Sequence, residues 1–132
     1  MNLTTRVRTA AAGLLVALAA LGLSAAPAAA HASYSGSDPA DDSTVSAPPS
    51  QVWAEFTEPL AEGSHLIVYD PCGDQVDNGD SQVTAYRVTI SMNAEAAGTY
   101  TVHFAVVSSL DSHPTRGSFN FTSSGGSPCP GE

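Results

Sequence analysis

The chain has 132 residues, and its 13 acidic residues outweigh four arginines to give a formal net charge of −9. A surface of this sign repels phosphate backbones and anionic lipid headgroups, so the composition disfavours nucleic-acid binding and favours cations as partners. The length is sufficient for one domain and too short for two.

The first 30 residues have the pattern of a secretory signal peptide. Arg6 and Arg8 form a basic start, an apolar run covers 10–26, and three alanines at 28–30 supply the small residues of a cleavage site. We therefore predict an exported, periplasmic or secreted chain whose mature form begins at His31. The net charge of the mature chain becomes −11, since it keeps all 13 acidic residues and only two of the four arginines. No membrane insertion of the mature chain is expected, because no apolar run of spanning length follows.

After residue 30, short apolar or alternating segments are separated by turn residues, with almost no helical periodicity. This pattern predicts an all-β fold, an immunoglobulin-like Greek-key antiparallel β-sandwich of about seven strands over 31–122. Residues 123–132 are expected to form a flexible Gly/Ser/Pro-rich tail. The strands that the pattern indicates are 32–37, 51–57, 65–69, 82–91, 99–108 and 117–122.

Alternation within these strands predicts which side chains face the core. In strand 99–108, His103 and Ala105 lie on the face that points away from the core. His103 is therefore expected to be a surface residue. The side chains predicted to share a face with the core are Val52, Ala54, Phe56, Tyr100, Val102, Phe104, Val106, Phe119 and Phe121.

The chain contains two cysteines, Cys72 and Cys129. In an oxidising compartment such a pair is expected to form a disulfide, which would hold the C-terminal segment. Thiolate ligation of Cu(I) is the alternative.

His31 is chemically distinct from the three other histidines if cleavage occurs as predicted. Its α-amino nitrogen and its imidazole Nδ1 would then belong to one residue, spaced to chelate a single metal ion. The amine, with a pKa of about 8, must lose its proton to bind, so acid should weaken the site. A chance cut before a histidine is the alternative explanation.

A second candidate element is the turn Asp111-Ser112-His113-Pro114, which follows the longest predicted strand. Proline favours an extended backbone at His113, and this would project Asp111 and His113 to the same side. Together with His31 these residues supply three nitrogens and one oxygen. In a roughly square-planar arrangement this set suits Cu(II), with Zn(II) as the second choice. Cu(I) prefers sulfur ligands, and after residue 30 the only methionine is Met92.

Four segments of the sequence resemble the periplasmic copper-binding proteins of the CopC type. They are His31-Ala32 after the signal peptide, SDPAD at 37–41, PSQVWAEFTEP at 49–59 and GTYTVHFAVVSSLDSHPTRGSFNF at 98–121. The resemblance implies one Cu(II) ion per chain, held by His31, Asp111 and His113. It also implies possible transfer of copper to a membrane transporter of the CopD type.

The chain departs from the family pattern at three points. Phe104 replaces a tryptophan, Ser112 replaces a glycine, and the pair at 109–110 lengthens the loop by one residue. Glu58 matches a family carboxylate near the copper and could be an outer or weak ligand, or simply an exposed acid at a strand end. We interpret His65 as structural.

Three functions remain open from the sequence. The first is a monomeric Cu(II) carrier or buffer in copper resistance or homeostasis, without enzymatic activity. The second is a copper-dependent oxidative enzyme that uses the same terminal-histidine chelate. The third is a metal-free immunoglobulin-like interaction module. An open coordination position for oxygen would favour the enzyme, whereas a carboxylate ligand at Asp111 would favour the carrier.

Overall fold

The computed structural model describes residues 31–131, so the predicted signal peptide at 1–30 lies outside the described part of the chain. Eight strands form two four-stranded sheets, with orders β1-β3-β6-β5 and β2-β8-β7-β4. The described residues contain no α-helix, and the all-β sandwich is confirmed. The strands are β1 (Tyr34–Asp38), β2 (Ser43–Val45), β3 (Gln51–Phe56), β4 (His65–Tyr69), β5 (Gln82–Thr84), β6 (Arg87–Ser91), β7 (Gly98–Val107) and β8 (Pro114–Ser123).

The core lies between the two sheets and is built from alternate residues of the strands. Every side chain that the alternation assigned to the core is buried, and His103 is exposed as predicted. Aromatic rings fill one region of this core, where the rings of Phe56 and Phe104 meet edge to face at 5.1 Å between centroids. Because side chains alternate strictly along a strand, the composition of each face could be deduced without knowing the strand pairing.

Several strand predictions differ from the structure. Eight strands are present where about seven were predicted, and the last strand, predicted at 117–122, covers Pro114–Ser123. The predicted strand 82–91 is a hairpin of β5 and β6. Ala85 adopts a left-handed conformation with a φ of 52°, and the chain reverses there. Strand β2 lies between the predicted strands 32–37 and 51–57, in a segment where no strand was predicted. It pairs in parallel with β8, whereas the other strand pairs are antiparallel. The first strand begins at Tyr34 instead of residue 32.

Four segments meet at one end of the sandwich, which we call the His31 end: 31–33, 57–64, 85–86 and 108–113. Backbone hydrogen bonds join them, among them Thr57 N to Ser33 O at 2.9 Å, Leu60 N to Ala85 O at 2.8 Å and Ser109 N to Pro59 O at 2.9 Å. The fold therefore brings the predicted N-terminus and the Asp111–His113 turn to the same end of the molecule.

At the opposite end, the Cys72–Cys129 disulfide is present with a Cα–Cα distance of 5.4 Å. With a sequence separation of 57, the bridge removes about 4 kcal/mol of chain entropy from the unfolded state. The predicted tail boundary at 122 falls within β8. Beyond it, Ser127 N donates to Glu95 O at 2.7 Å and Ala97 N donates to Ser127 O at 2.8 Å. The segment is thus attached to the domain by both a covalent bond and backbone hydrogen bonds.

Within residues 31–131 the structure has no helix long and apolar enough to cross a membrane.

The packing of Phe104 on Gly117 yields a stability prediction. A Cβ atom at Gly117 would lie 2.5 Å from Cζ of Phe104, and this ring is held in the core by Tyr34 and Phe56. We expect Gly117→Ala to lower the free energy of unfolding by about 1–3 kcal/mol in urea titrations. Gly36→Ala is the matched strand control, because nothing lies within 4 Å of its added Cβ. Equal losses in the two variants would contradict this account.

Candidate metal centre

The N-terminal segment is fixed by burial and by hydrogen bonds next to His31. Ala32 is completely buried in the core. The hydroxyl Oγ1 of Thr57 accepts a hydrogen bond from Ser33 N at 2.9 Å and donates one to His31 O at 3.2 Å. His31 itself is exposed. The residue that would become the N-terminus is therefore held in place through its backbone, while its imidazole remains free to bind.

The imidazoles of His31 and His113 are in contact, although the residues are far apart in sequence. Their ring centroids lie 4.2 Å apart at an interplanar angle of 47°. Both side chains are exposed to solvent. This separation is short enough for one nitrogen atom of each ring to reach a shared ion.

The turn that carries His113 is closed by hydrogen bonds on both sides. Ser108 N donates to His113 O at 3.1 Å, and Ser112 N donates to Ser108 O at 3.0 Å. Ser112 adopts a left-handed φ of 57°, where the family pattern has glycine. Oδ1 of Asp111 accepts from His113 N at 3.0 Å, which forms an Asx turn. Asp111 thus supports the backbone of His113 directly.

Behind this turn, Glu58 forms a buried polar contact with Ser108. Glu58 is only 9% exposed and Ser108 is fully buried, and Ser108 Oγ donates to Glu58 Oε2 at 2.7 Å. The same hydroxyl accepts from Leu110 N at 3.1 Å. The interpretation of Glu58 as an exposed acid is therefore wrong. Its carboxylate is engaged with the base of the turn.

Thr57 and Ser108 are positioning residues that the sequence reading did not single out. Each lies at the end of a strand, where serine and threonine commonly cap turns without any functional role. Both lie in segments that resemble the CopC type, Thr57 in 49–59 and Ser108 in 98–121, and this was the signal that could have found them.

His65 and His103 lie apart from the contact between His31 and His113. Both are exposed on the outer face of the second sheet, where His65 opens β4 and His103 lies in β7. The His103 ring packs against Tyr69 with centroids 5.7 Å apart, and His65 Nδ1 is 3.0 Å from Gly63 O. The structure places neither residue with the candidate metal ligands.

Among the residues that the structure describes, no group of three or more His, Cys, Asp and Glu side chains is assembled to hold a metal ion. The fold brings the rings of His31 and His113 together. The carboxylate of Asp111 contacts the backbone N of His113 and not its ring. The α-amino nitrogen of His31 becomes available only after cleavage. Ligation by His31, Asp111 and His113 therefore stays a prediction.

Comparison with known proteins identifies similar sequences and folds. A family model described as the CopC domain matches residues 34–124. Copper transport protein CutJ of Bacillus subtilis (strain 168) is 33% identical over 98 residues; the match covers 70% of this chain and 18% of CutJ, so the chain spans less than a fifth of that protein's length. The crystal structure of CopC from Methylosinus trichosporium OB3b matches with a TM-score of 0.60 and 27% identity, covering 70% of this chain and 93% of that one.

Proposed function

This chain belongs to the CopC domain family, and on that premise we propose that it is an extracytoplasmic carrier or buffer for Cu(II). The observation that carries the proposal is the contact between the rings of His31 and His113, with centroids 4.2 Å apart. One of these residues is the predicted N-terminus of the mature chain. The other lies in the turn that the sequence had already selected as a candidate ligand element.

The proposed donors are the amine and imidazole of His31, the imidazole of His113 and the carboxylate of Asp111. Nitrogen donors combined with one carboxylate oxygen suit Cu(II), which also has the highest affinity among the divalent first-row ions. Asp111 uses Oδ1 to accept from His113 N, and Oδ2 has no hydrogen-bond partner within 31–131. One carboxylate oxygen is therefore available for an ion without loss of the turn.

The chain's own residues would keep the donors preorganised. The buried Ala32 and the Thr57 hydrogen bonds hold the backbone at His31, while Ser108 and Glu58 support the turn from below. Such support lowers the cost of ordering the ligands when the ion binds. The copper ion is cargo in this proposal, bound once per monomer and transferred to another protein.

The proposed role is copper resistance or homeostasis outside the cytoplasm, with delivery of the ion to a CopD-type membrane transporter. The large excess of acidic residues favours attraction of cations to the protein. We propose binding without catalysis, because a carboxylate at the ion would occupy a position that an oxygen-activating enzyme needs open.

Titration of the mature protein with Cu(II), followed by electron paramagnetic resonance, tests this proposal. We expect one Cu(II) equivalent to bind, with hyperfine structure from several nitrogen ligands. Failure to bind, or stronger retention of Zn(II) than of Cu(II), would contradict it. Incubation of the copper-loaded protein with ascorbate, oxygen and a polysaccharide should release no oxidised fragments. Their release would identify an oxidative enzyme instead.

A further inference from the structure

A groove of about 470 Å³ crosses the outer face of the second sheet, and neither His31 nor His113 lines it. Three strands line it, since β4, β7 and β8 are neighbours in this sheet. We call it the Arg116 groove. Its side chains include His65, Ile67, His103, Ala105, Arg116 and Ser118.

The strand register explains why these side chains share the groove. Ala105 lies opposite both His65 and Arg116, and His103 lies opposite both Ile67 and Ser118. The six residues occupy two neighbouring rows across the sheet, with all side chains on the outer face. Imidazole, guanidinium and hydroxyl groups therefore surround an apolar floor.

The charge of the groove is opposite to that of the protein. No acidic residue lines it. The mature chain has only two arginines, and Arg87 is already engaged, since its Nη2 lies 2.8 Å from Glu55 Oε1 and its guanidinium stacks on Trp53. Within 31–131, Arg116 forms no salt bridge. The groove thus contains the one guanidinium of this part of the chain that is available to an external anion.

Hydrogen-bonding capacity in the groove is also unused. Across the described part of the chain, neither the ring nitrogens of His103 nor the guanidinium of Arg116 has a hydrogen-bond partner. His65 uses Nδ1 with Gly63 O at 3.0 Å, which leaves its Nε2 free. The hydroxyl of Ser118 also makes no hydrogen bond among these residues. Several polar groups are therefore ready to contact one ligand.

Acidic side chains are concentrated at the other end of the sandwich. The turn at 38–42 and the loop at 70–80 carry most of them, and both lie at the end of the molecule opposite to the His31 end. Arg116 lies near the His31 end, three residues after His113. An extended anionic surface would meet the acidic end as well as the groove, whereas a short anionic segment would meet the groove alone.

We propose that the Arg116 groove is a docking site for a short acidic segment of a partner protein. Arg116 binds a carboxylate of that segment through paired N–H donors, and His103 and Ser118 contact a second acidic or carbonyl oxygen. Ile67 and Ala105 contact the apolar parts of the segment. A metal ion is a poorer occupant, because Arg116 repels cations and the His103 ring packs toward Tyr69.

The groove lies close to the proposed copper site without sharing a residue with it. Strand β8 rises about 3.3 Å per residue, which places Arg116 roughly 10 Å along the strand from His113. A partner held in the groove would thus be near the exposed imidazoles of His31 and His113. Docking itself does not depend on copper binding, and it can be tested on the metal-free protein.

The test is an NMR titration of the metal-free mature protein with a peptide of repeated Glu-Ala pairs. We expect saturable shifts of the backbone amides of Ile67, Ala105 and Ser118, and no such shifts with the uncharged Gln-Ala peptide. Arg116→Gln should weaken the binding of the Glu-Ala peptide at least about tenfold, since it removes a charge-assisted pair of hydrogen bonds. Arg87→Gln removes the same charge from the other sheet and should change binding less than about twofold.

Several results would overturn the proposal. If Arg87→Gln weakens binding as much as Arg116→Gln, total charge determines binding and the groove does not. If inorganic phosphate or anionic lipid vesicles cause the same shifts at lower concentration, the groove is a phosphate site. If one equivalent of Zn(II) shifts the His65 and His103 ring signals in a variant lacking His113, the groove is a metal site. In each variant, unchanged amide signals away from both the groove and the substituted residue confirm that the fold is intact.

Discussion

Adding a single residue before His31 of the mature protein is expected to lower its Cu(II) affinity more than roughly a hundredfold. Even the loss of a hydrogen-bond partner of a metal ligand costs about 10–100-fold in affinity. The extension removes a ligand outright, because the α-amine of His31 becomes an amide that no longer chelates with the imidazole. Competition with a chelator of known affinity measures the change.

The fold should tolerate this extension. His31 is exposed, whereas the buried Ala32 and the hydrogen bond from Thr57 Oγ1 to His31 O depend on groups that the extension leaves intact. A protein with the extra residue placed after Glu132 is the matched control and should bind as the unmodified chain does. Equal affinity of all three proteins would exclude the terminal chelate, whatever the role of the turn.

His113→Ala is expected to lower Cu(II) affinity by several orders of magnitude while leaving stability almost unchanged. The side chain is exposed, and its ring contacts that of His31. The hydrogen bonds that hold the turn at this position use the backbone N and O of residue 113, which alanine retains. Surface substitutions of this kind usually change stability by no more than about 0.5 kcal/mol. Affinity and urea unfolding, measured on the same samples, separate the two effects.

His103→Ala is the matched control for this second prediction. It removes an exposed imidazole from β7, at a position away from His31. Copper affinity should remain unchanged. If His103→Ala weakens binding as strongly as His113→Ala, the ion is bound on the outer face of the sheet and the assignment of the turn is wrong.

The Glu58–Ser108 contact suggests why the turn can hold its shape despite Ser112. Serine with a φ of 57° is less favourable than glycine there, and this costs on the order of 1 kcal/mol. The hydrogen bonds from Ser108 Oγ to Glu58 and from Leu110 N to Ser108 Oγ stabilise the turn and so offset this cost. Leu110, in the pair by which the loop exceeds the family spacing, is left 68% exposed at the surface.

The strands whose faces were predicted correctly share a simple property. In β3 and β7 the alternation runs without interruption, so that Val52 and Ala54, or Val102 and Phe104, indicate the buried face at once. The β5–β6 hairpin had no such signal. Its turn at Ala85-Tyr86 lacks the glycine or asparagine that usually supplies a positive φ, and the alternation on either side made it look continuous.

The sequence by itself determined the buried faces of the strands, the cysteine pair and the candidate ligands His31, Asp111 and His113, because each depends on residue type and local spacing. Only the tertiary structure decided that His31 contacts His113, that β2 pairs with β8, and that Glu58 is buried beneath the turn. These features depend on pairing between segments distant in the chain. The alternation within a strand indicates which of its faces is buried, but it does not identify the strand or loop that the segment meets in the folded chain.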